Sequence, residues 1–302
     1  MDRLQAMQTF IRVVETGSFS AVARELASTQ SAISKQVAAL EKYLGVRLLA
    51  RTTRTLNPTD DGLRYFEEAR RLVGEIDEAE ALLRHGEHSL SGSLRVASSV
   101  GYGLRILLPL VQSFMQKHPD VRLDLKLDEG LVDLVEHGID VAVRIGPLAD
   151  SALIARRVAT SQRLLVAGKK YLAKLDGKQP WPRIPQDLMD HACLVYTGLL
   201  PRNQWEFRTA DGSVVTVRVQ GPLQSNNSEV LRAAILDGMG IGYLPDWLLS
   251  DLLASGDVLV LMSDWQVAPI PVHLVSPAER RYSAKVRAFG DHVLNALATP
   301  AK

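Results

Sequence analysis

Four polar side chains at the start of one helical stretch, Gln30, Ser31, Ser34 and Lys35, are the residues best suited to chemistry with a partner. Ile33, Val37, Leu40 and Leu44 recur at helical spacing and form one apolar stripe. The opposite face holds Ser31, Ser34, Lys35, Ala38 and Lys42, short or cationic groups that let a helix enter a major groove closely. Thr29 stands where an N-cap belongs, so Gln30 and Ser31 would project from the helix start. By pattern alone, an ordinary packed helical hairpin explains this stretch as well as a DNA reader does.

A second set of polar residues lies much further along the chain. Ser98-Ser-Val-Gly101 follows a strand pattern and precedes a helical one, and Ser225-Asn-Asn-Ser228 does the same. Hydroxyls, side-chain amides and free backbone N–H groups at helix starts make a site for a carboxylate or another anion. Plain capping produces the same pattern. The candidate small-molecule contacts are Ser98, Ser99, Ser225 and Asn226, with Asp128 and Glu129 after the next strand, Arg144 at the end of the third, and Thr197 on a segment crossing a cleft. Arg144 serves a structural ion pair equally well. Cys193, flanked by Ala192 and Leu194, reads as an inert core thiol, and the seven dispersed histidines suggest no metal site.

The elements that must position these groups follow from periodicity. A first helix with Leu4, Met7, Phe10, Ile11 and Val14 should stop at Gly17, and Ser18 should cap a second containing Val22, Ala23 and Leu26. The polar-faced helix comes next and ends at Gly45. The β-branched, basic run 46–59 suits a two-stranded wing with Arg51 and Arg54 flanking its tip, where an arginine can reach phosphates or a narrow minor groove. A long helix from Thr59 to about Gly86 shows Phe66, Ala69, Val73, Ile76 and Leu83 in a 3-4 alternation, read as a seam for pairing with a second copy. A linker over 85–92 leads to alternating strands and helices.

The strands are expected at 93–98, 121–127, 139–145, 163–167, 193–196, 214–219, 223–225, 240–243, 258–261 and 271–275. The helices are expected at 104–117, 131–137, 185–189, 229–237, 246–253 and 283–297. Such alternation argues an α/β domain of two lobes meeting at a cleft. The fold class is therefore α/β behind an N-terminal winged helix-turn-helix. Its division is 1–58 for the DNA-binding domain, 59–91 for the dimerisation helix and hinge, and 92–302 for the effector domain. Lobe I takes about 92–161 and 268–302, and lobe II about 162–267.

Composition narrows the function classes. The 302 residues suffice for two or three domains, and 46% hydrophobic content suits a globular chain. There is no apolar run of membrane-spanning length, and the first residues lack the pattern of a secretory signal, so a cytoplasmic protein with no membrane partner is expected. One cysteine excludes an intramolecular disulfide. Net charge is only +1, but residues 1–58 carry eight cations against four acids, whereas 59–91 carry four against nine. Basic character is thus confined to the N-terminal module, as phosphate contact requires. No nucleophile elbow, P-loop, zinc triad or dinucleotide fingerprint is present, so neither an enzyme nor a cofactor is expected.

Taken together these residues resemble the LysR-type transcriptional regulators over the whole chain. The resemblance is carried by Phe10 with Gly-Ser-Phe19, Ala-Val-Ala-Arg-Glu-Leu26, Gln-Ser-Ala-Ile-Ser34, Leu40-Glu-Lys-Tyr-Leu-Gly45, Leu48-Leu-Ala-Arg51 and Pro58-Thr-Asp-Asp-Gly62. It continues through Gly92-Ser-Leu-Arg-Val-Ala-Ser98, Leu108-Pro with Phe114 and His-Pro119, Gly138-Ile-Asp-Val-Ala142, Gly238-Met-Gly-Ile-Gly-Tyr-Leu-Pro245 and Ala288-Phe289.

It implies a bacterial regulator whose effector domain is similar in fold to type II periplasmic binding proteins, with residues after the strands lining the cleft. Gln30, Ser31, Ser34 and Lys35 would then approach bases or flanking phosphates, Arg54 the minor groove and Arg51 the backbone. The implied partners are a pseudo-palindromic duplex site, a small-molecule effector, further copies of the chain up to a homotetramer, and RNA polymerase. The chain departs from the family pattern at Val22, Ser28, Ser31 and Lys35, where alanine, a small aliphatic, proline and arginine are usual. A lysine lacks the planar two-pronged contact of arginine. The competing reading is a transporter's solute-binding protein, which the C-terminal two-thirds would allow but the N-terminal module and the missing signal disfavour.

Overall fold

The computed structural model describes residues 2–51, 56–85, 90–175, 179–198, 202–209, 211–265 and 267–298. The chain opens with α1 (Arg3–Thr16), α2 (Phe19–Glu25) and α3 (Gln30–Leu44). Each begins on a side-chain cap: Asp2 accepts from Gln5 N–H, Ser18 from Ala21 N–H and Thr29 from Ala32 N–H. α1 and α3 end on left-handed glycines, Gly17 and Gly45. Between α2 and α3 the chain turns through Ala27, which holds φ 47° without being glycine. Strands β1 (Leu49–Arg51) and β2 (Leu56–Pro58) pair antiparallel as the wing. α4 (Asp60–His85) follows, with Thr59 Oγ1 accepting from Gly62 N–H at 2.9 Å.

One apolar core holds this module together. Phe10, Val13, Val22, Ile33, Val37, Leu40 and Leu48 are fully or almost fully buried in it. Phe66, Ala69 and Val73 of α4 belong to the same core. The pairing seam expected on those three residues is therefore corrected: that stripe is covered by its own chain. Periodicity reports that a stripe is buried without saying what buries it. Among the described residues, the large apolar side chains of α4 that face outward are Leu63, Leu72 and Ile76, while the side chain of Leu83 lies outside them.

The remainder forms two five-stranded sheets. The first contains β3 (Gly92–Ser98), β4 (Val121–Leu127), β5 (Val141–Ile145), β6 (Ile154–Ser161) and β14 (Ile270–Ser276), in the order β4-β3-β5-β14-β6. The second contains β7 (Arg163–Gly168), β8 (Cys193–Tyr196), β11 (Gln224–Ser225), β12 (Ile241–Pro245) and β13 (Val258–Val260), in the order β11-β8-β12-β7-β13. Each sheet mixes parallel and antiparallel pairs, because the chain leaves the first after β6 and returns to it as β14.

Lobe I carries α5 (Val100–Tyr102), a π-helical stretch over Gly103–Leu107, α6 (Leu108–Lys117) and the closing α10 (Ala284–Ala298). Lobe II carries α7 (Lys169–Leu175), α8 (Ser228–Leu236), α9 (Asp246–Ser255) and a separate hairpin of β9 (Gln204–Arg208) and β10 (Val214–Arg218).

Several elements differ from expectation. No helix forms at 131–137; residues 134–138 are a turn closed by Gly138 at φ +58°. β6, α7 and β9 were not anticipated. β6 is an edge strand with Ala155, Arg156 and Arg157 exposed, so the alternation that marks a half-buried strand is missing from its first half.

Candidate functional site

The exposed polar face of α3 is set by what lies behind it. Ile33, Val37 and Leu40 are buried, which turns Gln30, Ser31 and Lys35 outward and leaves Ser34 half-buried beside them. Two polar contacts not anticipated from sequence fix the helix. Thr9 Oγ1, itself buried in α1, donates to Gln36 Oε1 at 2.9 Å. Glu41 Oε1 accepts from the N–H groups of Leu48 and Leu49 at 2.9 and 3.1 Å, tying the helix to the first wing strand. A buried threonine at helical spacing and an acid one turn before the helix end are weak signals, so neither contact was legible.

Of the two wing arginines, Arg51 has its backbone in β1, while its side chain and all of Arg54 lie outside the described residues. Lys42 and Arg47 are exposed on the same module. The arrangement presents a protruding helix start, free polar side chains and a flanking two-stranded ribbon, which is the geometry of major-groove docking with a wing on the backbone.

The second site is the seam between the lobes. Ser98 ends β3 almost fully buried, and its Oγ has no hydrogen-bond partner. Ser99 N-caps the three-residue α5 without a side-chain cap bond. Immediately after it, lobe I meets lobe II: a Cβ on Gly101 would stand 2.7 Å from Ser228 Oγ and 3.5 Å from the Trp247 ring. Tyr102 meets Trp247 edge-on at 5.1 Å. Arg105 spans the lobes, its Nε and Nη2 donating to Glu229 at 2.6 and 2.9 Å, with Asp251 at 3.5 Å.

Glu129 lies beside this contact, with Oε1 buried and unpartnered. Burial, then the like charges of Asp128 and Glu229, holds its carboxyl above the usual carboxylate range. The Tyr196 hydroxyl is raised in turn by burial and by Glu129. The indole N–H of Trp247 is also buried without an acceptor.

The expected contacts divide into two groups. Ser98, Ser99, Thr197 and Ser225 stand at the strand ends where the lobes face each other. Thr197 N–H donates to the Ser225 carbonyl at 2.9 Å, and Ser225 Oγ accepts from Asn227 N–H. Asp128 stands there too, its N–H donating to the Ser98 carbonyl at 3.0 Å, whereas Arg144 and Asn226 are placed differently. Asp128 Oδ1 accepts from Gly130 N–H at 2.6 Å, and Arg144 Nη2 donates to the Val132 carbonyl at 3.2 Å, a backbone hydrogen bond rather than the ion pair that was the alternative for that residue. Asn226 is exposed; Asn227 instead caps α8, accepting from Glu229 and Val230 N–H. Arg105 and Glu229 stand 124 residues apart, a separation no local pattern spans.

Cys193 is fully buried, and burial pushes its thiol up to about 12. Both burial and the raised thiol keep the reactive thiolate scarce, as the apolar flanks Ala192 and Leu194 lead one to expect.

With this geometry in hand, residues 4–63 match the family described as bacterial regulatory helix-turn-helix protein, lysR family, and residues 87–298 match the LysR substrate binding domain. The chain is 34% identical over 300 residues to the HTH-type transcriptional repressor PA14_22550 of Pseudomonas aeruginosa (strain UCBPP-PA14), covering 99% of this chain and 93% of that protein. It is 34% identical over 294 residues to the HTH-type transcriptional regulator CrgA of Neisseria meningitidis serogroup C (strain 8013), covering 97% and 96%.

Among solved structures, CrgA from Neisseria meningitidis superposes with a TM-score of 0.63 at 34% identity, over 98% of this chain and 99% of that one. Full-length AphB, a virulence activator of Vibrio cholerae, gives 0.59 at 28% identity over 97% and 98%. Among the described residues no helix is long and apolar enough to cross a membrane. The winged module and the two-lobed domain thus match the same family along nearly the whole chain, and the chain belongs to the LysR-type transcriptional regulators.

Proposed function

We propose that this regulator reads a pseudo-palindromic duplex in the cytoplasm through Gln30, Ser31, Ser34 and Lys35 of paired α3 helices. Arg51 and Arg54 of each wing then lie on backbone or minor groove. The observation that carries this reading is the buried stripe of α3, which leaves its polar face and N-terminus free. In this reading residues 1–58 read DNA, 59–91 pair two copies, and 92–302 receive the effector. Dimerisation uses the outward flank of α4 at Leu72 and Ile76. Contacts between effector domains build the tetramer, and RNA polymerase is met on the DNA. A transporter's solute-binding role leaves the N-terminal module without a use.

The effector site is the seam around Ser98, Ser99, Thr197 and Ser225. Its orphaned groups state what a ligand must offer: an acceptor for the Ser98 hydroxyl and the Trp247 indole N–H, and a donor for Glu129. Ligand in the seam shifts the lobes and thereby the bend of the bound DNA.

The test is a mobility shift with DNA from upstream of the gene. It should show a salt-sensitive, site-dependent complex; no such complex would end the DNA reading. Replacing Ser98 and Ser99 together by alanine should abolish the effector response while DNA affinity is kept. An intact response in that variant removes the seam as the effector site.

A further inference from the structure

Among the described residues, ion pairs join the two halves of the chain where α4 passes lobe I. Among the described residues, the core of the DNA-binding module draws on positions between Leu4 and Val73 and the neighbouring core of lobe I on positions between Leu90 and Leu297, with no member shared. Between them stands Arg95 of β3, only 5% exposed. Its Nη1 donates to Glu67 of α4 and, at 3.2 Å, to the His137 carbonyl, and its Nε faces Asp124 of β4 at 3.6 Å. The turn at Gly138 presents that carbonyl, since a Cβ there would stand 2.7 Å from Arg95 Nη1.

One turn along α4, Arg70 lies 3.9 Å from Asp124 and 3.7 Å from Glu15 of α1. Glu15 pairs with Arg12, which holds Glu25 of α2 through two bonds of 2.9 and 2.8 Å. Arg122 of β4 adds to the positive field at Glu25. A parallel set runs from Glu75 through Arg280, at 3.4 Å, to Asp140, at 3.1 Å, and Asp140 accepts the Arg95 backbone N–H at 2.8 Å.

We propose that these groups are an ionic latch. Arg95 and Arg70 fix the DNA-binding module on lobe I of its own chain, and the relay Asp124–Arg70–Glu15–Arg12–Glu25 delivers the position of lobe I to α2, the first helix of the helix-turn-helix. An apolar seam of the same extent would resist salt. A partly exposed ionic one weakens as ionic strength rises and re-forms without repacking a core. The buried guanidinium sets the polarity of the device, because without Glu67 it loses its closest carboxylate in a poorly solvated place. The inference rests on family membership and these contacts, and is independent of which ligand the seam takes.

The test uses the full-length protein, with oligomeric state fixed by light scattering and shape read by small-angle X-ray scattering. Glu67→Arg should expand the particle at low salt, Arg95→Glu should do the same, and the two charge reversals combined should restore the wild-type radius of gyration. Unchanged dimensions in folded Glu67→Arg would overturn the latch. A combined variant as expanded as either single one would also overturn it, since Arg95 would then serve lobe I alone. If Arg95→Glu does not fold, Glu67→Gln with Arg70→Gln replaces it. The sodium chloride concentration at which that variant expands should fall at least about twofold below that of the wild type, and a coincident salt curve refutes the proposal.

Discussion

Gly62 sits beneath the carbonyl of Leu48, and a Cβ at that position would stand 1.9 Å from the oxygen. The neighbour is backbone at the root of the wing, so it cannot swing aside as a side chain would. Gly62→Ala should therefore cost about 3 kcal/mol, read as a lowered denaturation midpoint of the DNA-binding module with the effector domain unaffected. The sequence shows this glycine three residues after a helix cap, but not the strand lying over it. Glu129 is a second residue whose surroundings decide its behaviour. Its carboxyl is raised by burial and by Asp128 and Glu229, so the folded chain holds the proton more tightly than the unfolded one. Folded stability from this group is thus present below the ordinary carboxylate pKa and is lost as pH rises through the raised value. Glu129→Gln should unfold at a higher temperature than wild type at pH 7.5, and the gap should close when both are uncharged in acid. A gap that persists at low pH would place the effect outside this ionisation.

At the scale of elements, α4 shows both what the sequence discloses and what it withholds. Its cap, its length and its apolar repeat were legible, because each is a local property of consecutive residues. The identity of the covering surface was not: Phe66, Ala69 and Val73 pack under their own α1, a contact between segments more than fifty residues apart. The outward flank carries Leu72 and Ile76, 40% and 39% exposed. Half-exposed aliphatic groups at i and i+4 give a second copy a surface to cover, and four such side chains in a two-fold pair would contribute about 4 kcal/mol. Replacing both by glutamate should raise the dimer dissociation constant about a thousandfold, measured by sedimentation, without loss of helix content. The same contrast runs through lobe II. Strands β8 and β12 were anticipated from buried apolar runs; β9 was missed although Gln204, Glu206 and Arg208 alternate with Trp205 and Phe207, the pattern of a half-buried strand. The candidate seam, Glu129 included, was legible as strand ends preceding helices; the burial that leaves Glu129 Oε1 unpartnered and the cross-lobe tie of Arg105 to Glu229 depend on tertiary approach.

For the whole molecule, a net charge of +1 conceals a polarity that should govern how it meets DNA. The cations concentrate in the first 58 residues, and the acids that follow along α4 should keep the duplex on the face where α3 and the wing emerge. Lys35, Lys42 and Arg47 are exposed on that module, so a two-fold pair offers about six phosphate or base contacts, and log affinity should fall with log salt at a slope of about −5. The two lysines should then separate by role. Lys42 lies in the last turn of α3, away from its N-terminus, so Lys42→Ala should flatten the salt slope by about 2 per pair of chains and weaken all duplexes alike. Lys35 lies in the second turn, beside Ser31 and Ser34, where side chains reach base edges. Lys35→Ala should cost about 1–3 kcal/mol on the preferred site, relax selection at one base pair in each half-site, and leave affinity for unrelated duplex nearly unchanged. Equal losses on preferred and unrelated DNA would move Lys35 to the phosphates and leave base reading to Gln30, Ser31 and Ser34.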